Sequence, residues 1–134
     1  MFPVIHETDV TEKAVPGRYL RWVVDKTSDE GLDGQYCSCV IMRVEPGKTV
    51  TPAHSHPNGE EMLYIISGHG KTYIDGKIYS FEAGSVVMFE QGKIHIVRNT
   101  GDEELKVACF YGPATSLDEY EFHPEVDFDS GVEV

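Results

Sequence analysis

Glycine- and proline-marked turns interrupt this chain so often that no long helix fits between them. Pro46-Gly47, Asn58-Gly59, Asp75-Gly76, Gly84, Gln91-Gly92 and Thr100-Gly101 punctuate the middle of the sequence. Around them lie Arg18–Val24, Tyr36–Val44, Met62–Ile66, Lys71–Ile74, Lys77–Phe81, Ser85–Phe89, Ile94–Asn99 and Leu105–Tyr111, all rich in β-branched and aromatic residues. Such runs lack the apolar period of a helix and suit extended strands. Asp75-Gly76 is the strongest hairpin signal, because a type I′ turn needs positive φ at both central residues. About eight short strands with no helices between them predict an all-β antiparallel double sheet or barrel.

At 134 residues the chain is long enough to bury a core without staples, and one domain over 1–134 is expected. The segment 1–16 and the acidic segment 112–134, which carries no Lys or Arg after Leu117, are expected to be arms lying on the barrel or on a neighbour. MFPVIHETDV has no basic stretch followed by an apolar run, so no signal peptide is expected. No apolar stretch approaches the roughly 20 residues of a membrane helix. Three cysteines, with Cys37 and Cys39 two apart, do not form a disulfide framework, and a cytoplasmic location follows. The net charge of −12, from 23 acidic against 11 basic residues, repels phosphate backbones and anionic lipid. Nucleic acid and membrane are therefore excluded as partners, while a small molecule is not.

Within this pattern, HSHPNGEEMLYIISG at 54–68 concentrates the chemistry. Residues two apart on a strand share a face, so His54 and His56 present two imidazoles side by side. Glu61 opens the following strand, and His95 begins another after a glycine turn. Three imidazoles and one carboxylate suit a divalent transition metal with positions left open for water or substrate. A closed structural zinc site would more often use cysteine.

The spacing resembles that of small single-domain cupins. Their first motif runs Gly, five residues, HxH, three or four residues, Glu, six residues, Gly; Gly47, His54, His56, Glu61 and Gly68 follow it, with six residues after Gly47 in place of five. The interval before Gly68 selects Glu61 over Glu60 as the ligand. In the second motif, GSVVMFEQGKIHIVRN supplies Gly84, Gly92, His95 and Asn99 at matching spacing, with Glu90 where proline is usual. The resemblance covers about 36–111. It implies a jelly-roll, or double-stranded β-helix, barrel with one divalent ion (Fe, Mn, Ni, Co or Zn) held by His54, His56, Glu61 and His95. It further implies a metal-dependent enzyme acting on a small oxygenated molecule of carboxylate or sugar-acid type, dioxygenase-like or a Lewis-acid isomerase or lyase. The alternative is a non-catalytic module that captures a small carboxylate through the metal, and a homodimer is implied for either.

Other residues are read from their places on the strands. Tyr111 is a candidate general acid or anchor for a substrate carboxylate, and Glu90 a candidate catalytic carboxylate near the barrel mouth or an exposed turn acid. Tyr36, Val40, Met42 and Val44 are expected to face inward. Arg43 and Arg98 are expected at solvent or an interface, with anion clamping as the alternative; His69 and His123 are expected to be solvated. Asn99 is expected to fix a turn, Cys37 and Cys39 to pack as small apolar groups, and Trp22 and Tyr19 to anchor the core or a dimer interface.

Overall fold

A computed structural model describes residues 3–26 and 29–134. In chain order the strands are β1 (Lys13–Val15), β2 (Arg18–Asp25), β3 (Leu32–Asp33), β4 (Ser38–Val44), β5 (Ala53–Ser55), β6 (Glu60–Ser67) and β7 (His69–Ile74). They continue as β8 (Lys77–Glu82), β9 (Val86–Phe89), β10 (His95–Asn99), β11 (Leu105–Gly112), β12 (Glu121–His123) and β13 (Val132–Glu133). Asp75 and Gly76 both have positive φ, 44° and 94°, and Ile74 pairs with Lys77 across them, as a type I′ hairpin requires.

One sheet has the order β1-β2-β4-β11-β6-β9, with β3 beside β2; the other runs β12-β5-β10-β7-β8-β13. From β4 to β11 the chain crosses between sheets at almost every connection, the topology of a jelly roll. Alternation along each strand sends one set of side chains inward. Leu20, Trp22, Val40, Met42, Val44, Leu63, Ile65, Phe89 and Val107 from the first sheet meet Phe81 and Val97 from the second in one core.

Both arms lie on the barrel. Near the N-terminus, Arg43 pairs with Glu12, Lys106 pairs with Glu7, and Arg21 donates to the carbonyls of Glu7 and Val10. The C-terminal arm adds β12 at one edge of the second sheet and β13 at the other. Between them Phe128 seals a second apolar cluster with Ala53, Tyr73, Ile78 and Ile96 on that sheet's outer face.

Several expectations change. Tyr36 is exposed, because β4 starts at Ser38 and strand alternation does not reach back to it. Cys37 is exposed for the same reason, and Cys39 is half-buried. His123 is not solvated: β12 pairs it with Ala53, and its Nε2 meets the Ser55 hydroxyl at 2.9 Å. Arg98 is tied to Thr49 and Asp129 and covers the Phe128 ring, and Arg43 covers Tyr19; both cations bind this chain's own arms and loops. Trp22 is in the core, whereas Tyr19 faces out and donates to Glu45. His69 is exposed. Asn99 fixes its turn by donating to the carbonyls of Val44 and Glu103 and accepting from the Gly101 amide. Among the described residues no helix is long and apolar enough to cross a membrane.

Candidate metal centre

Two rows of cross-strand neighbours build the site. In the second sheet, Phe122, His54, His95 and Ile74 are successive partners across β12, β5, β10 and β7. In the first sheet, Phe89, Glu61, Tyr111 and Ser38 are successive partners across β9, β6, β11 and β4. Partners across antiparallel strands point to the same face, so each row turns its polar groups inward. His56, just past β5, stands on the same face as His54, with ring centroids 5.4 Å apart. The structure thus brings together His54, His56, Glu61 and His95, all buried, with one ligand atom from each within 4.8 Å of the others.

The imidazoles are oriented from behind and held from the sides. His54 Nδ1 meets the Pro52 carbonyl at 3.2 Å and His95 Nδ1 meets the Lys93 carbonyl at 3.0 Å. A carbonyl only accepts, so these contacts place the proton on Nδ1 and leave Nε2 with a lone pair. Phe89 stacks on His95 at 3.8 Å, and Tyr120 stacks on His54 at 5.0 Å.

His95 Nε2 then lies 3.2 Å from Glu61 Oε1 without a hydrogen bond, and His56 Nδ1 is likewise buried without a partner. A lone pair facing a carboxylate oxygen in a dry interior is unfavourable unless a cation lies between them. The four side chains therefore fit a divalent metal ion, and their nitrogen and oxygen donors suit a transition metal. Burial works against charge on Glu61, but the hydrogen bond from His56, 2.8 Å away, holds its carboxyl well below the usual carboxylate range. Burial, reinforced by His95, drives His54 well below its ordinary value, which keeps it neutral. Burial first, and then the Glu61 charge, push the Tyr111, Tyr120 and Cys109 groups well above theirs, so all three stay protonated.

A cavity of about 20 Å³ lies between His54, Glu61, His95, Tyr111, Tyr120 and Arg18, room for one small ion or water. A larger cavity, about 290 Å³, forms the mouth, bordered by His56, Asn58, Glu60, Tyr111, Thr115 and Glu119. Lys26 stands at its rim and donates to both carboxylate oxygens of Glu119. Glu90 is not brought to the cluster: it follows the inward Phe89, so it is exposed on the turn and lines a separate surface groove with Asp75 and Lys93.

Three residues of the site escaped the motif reading. Phe89 precedes the turn and looks like ordinary core. Arg18 enters because Gly17, at φ 80°, lets the β1–β2 turn press against the Thr49 carbonyl; the guanidinium then caps the carbonyls of Pro16 and Thr51. Tyr120 comes from the acidic arm, where the aromatic residues Tyr120, Phe122 and Phe128 were the only signal that the arm packs inward.

The family model for the cupin domain matches residues 40–111. The chain belongs to the cupin family. Among similar cupin relatives, polyketide synthase CurC of Streptomyces cyaneus is 30% identical over 83 residues, 62% of this chain and 52% of that one. The oxalate-binding protein of Thermotoga maritima is 34% identical over 65 residues, 48% of this chain and 53% of its own. The matched stretch thus spans about half the length of these relatives. Pac13, a nucleoside dehydratase from Streptomyces, has the same fold, with a TM-score of 0.74 at 14% identity over 92% of each chain.

Proposed function

We propose that this cupin is a metal-dependent enzyme acting on a small oxygenated molecule of carboxylate or sugar-acid type, with His54, His56, Glu61 and His95 as ligands. The observation that carries the reading is the buried His95 lone pair set against the Glu61 carboxylate with no hydrogen bond between them. Iron, manganese, nickel, cobalt or zinc bound there would supply Lewis acidity toward a carboxylate, carbonyl or enediol, or activate oxygen. The chain's own contribution is to keep His54 neutral and Glu61 ionised, to enclose the inner cavity, and to offer one face of the site through the mouth. Arg18 adds a buried positive charge that favours an anionic ligand. That one relative is named an oxalate-binding protein supports the small-carboxylate class.

Elemental analysis of protein purified without added metal tests the reading. About one transition-metal ion per chain is expected, and His54→Ala should abolish it; a wild-type chain that never takes up metal ends the proposal. Substrate-dependent oxygen uptake would make the enzyme dioxygenase-like, and anaerobic turnover an isomerase or lyase. Carboxylate binding without turnover across a substrate panel would instead favour a binding module.

We infer further that the chain forms a homodimer in a reducing, cytoplasmic setting. Three free cysteines suit that compartment. Met62, Tyr64 and Ile66 of β6, Val86 and Met88 of β9 and Phe110 of β11 are all exposed on one sheet face. Together they present on the order of 500 Å² of uncharged surface, beyond what isolated surface apolars explain. An uncharged face is where two copies of a strongly acidic chain can meet without like-charge repulsion.

A further inference from the structure

The hydroxyls of Tyr111 and Tyr120 meet at 2.8 Å inside the barrel. Both rings line the small cavity that also holds Arg18, His54, Glu61 and His95. Two hydroxyls carry two protons, and the bond between them uses one. The second proton has no acceptor among the described residues. A buried O–H without a protein acceptor is costly, and such groups in native proteins commonly await a ligand or water.

The two rings are not equivalent. Tyr111 also lines the mouth cavity, next to His56, whereas Tyr120 lines only the inner one. Tyr120 is wedged against His54 at 5.0 Å and His56 at 4.4 Å, and the strand that follows it pairs with β5. Its hydroxyl is thus a fixed partner for Tyr111, supplied by the C-terminal arm.

We propose that the Tyr111 hydroxyl is the ligand-facing hydrogen-bond donor of this site, that Tyr120 acts through it as a positioning residue, and that the C-terminal arm thereby completes the binding site. The ligand is a small carboxylate: an anion entering by the mouth meets the Tyr111 hydroxyl and the field of buried Arg18 together. The inference rests on the metal-binding reading above, since the ion beside His56 is what would hold the carboxylate within reach of Tyr111. A hydroxyl that accepts one hydrogen bond donates its own proton more strongly, which is the role left to Tyr120.

Cobalt(II) as the metal and oxalate as the carboxylate provide the test, followed in the visible spectrum of the loaded protein. Wild type should bind about one cobalt per chain, with a spectrum that oxalate shifts. Tyr111→Phe, isosteric and still able to pack against Trp22 and His56, should retain the cobalt while its oxalate dissociation constant rises about ten-fold. Tyr120→Phe should raise it about three-fold, and the double variant should match Tyr111→Phe alone, because Tyr120 acts only through Tyr111. Merely structural roles would weaken cobalt uptake or add in the double variant; either result overturns the assignment. Unchanged oxalate affinity in cobalt-loaded Tyr111→Phe overturns this inference while leaving the metal reading intact. A wild type that takes up no cobalt overturns both, and a cobalt-loaded wild type indifferent to oxalate overturns the carboxylate assignment.

Discussion

His54 and Glu61 show how one buried site holds opposite charge states a few ångströms apart. An unfolded chain titrates His54 near 6.5, but in the folded barrel burial and His95 keep it neutral well below that value. The unfolded state therefore binds the proton first on acidification. Stability from this residue is complete above about pH 6.5 and is lost as pH falls below it. Glu61 acts in the same direction at lower pH: its carboxyl is held down, so the stability it contributes above 4.5 drains away as acid is added. The urea midpoint of metal-free protein should accordingly decline from about pH 6.5 downward, and His54→Gln should flatten the upper part of that decline. Asn99 is a different kind of residue, fully buried and bonded to Val44, Gly101 and Glu103. Asn99→Ala leaves a buried carbonyl unpaired and should cost about 3 kcal/mol in denaturant unfolding.

At the scale of elements, the C-terminal arm contributes an edge strand on each side of one sheet, a site aromatic and an apolar plug. Phe128→Ala removes that plug, which is 4% exposed and capped by Arg98, and should cost about 3–5 kcal/mol. Hydrogen exchange should then quicken first in β13 and β12. The β7–β8 hairpin depends on backbone conformation alone at Gly76, where an added Cβ meets nothing within 4 Å but φ is 94°. Gly76→Ala should therefore cost only about 1 kcal/mol, as strain without a clash, measurable as a small shift in thermal midpoint.

For the whole molecule, the two arms divide the outer surface. The N-terminal arm reaches over Val23, Ile41 and Lys106, and the C-terminal arm covers Ile78 and Ile96. Among the described residues, the β6–β9–Phe110 face is one that neither arm covers. Placing a charge in the middle of it, by Tyr64→Glu with Met88→Glu, should turn a dimer into a monomer in sedimentation while metal content stays at the wild-type level. A monomeric wild type would remove the homodimer inference.

The local order of strands and turns was legible in the sequence because both are set by neighbours. Asp75-Gly76 must turn, and alternating Val40, Met42 and Val44 must bury one face. The HxH pair was legible because spacing along a strand dictates facing, and Gly47, Glu61 and His95 because their spacing resembles the cupin motifs. Tertiary structure decided what depends on approach from a distance. Tyr36 left the barrel because its strand began two residues later, and Glu90 turned outward once Phe89 turned in. Arg18 and Tyr120, about 36 and 66 residues from His54, reached the same cavity only when two sheets closed over it. Local chemistry selects which residues can face inward; only packing between sheets determines which of them meet.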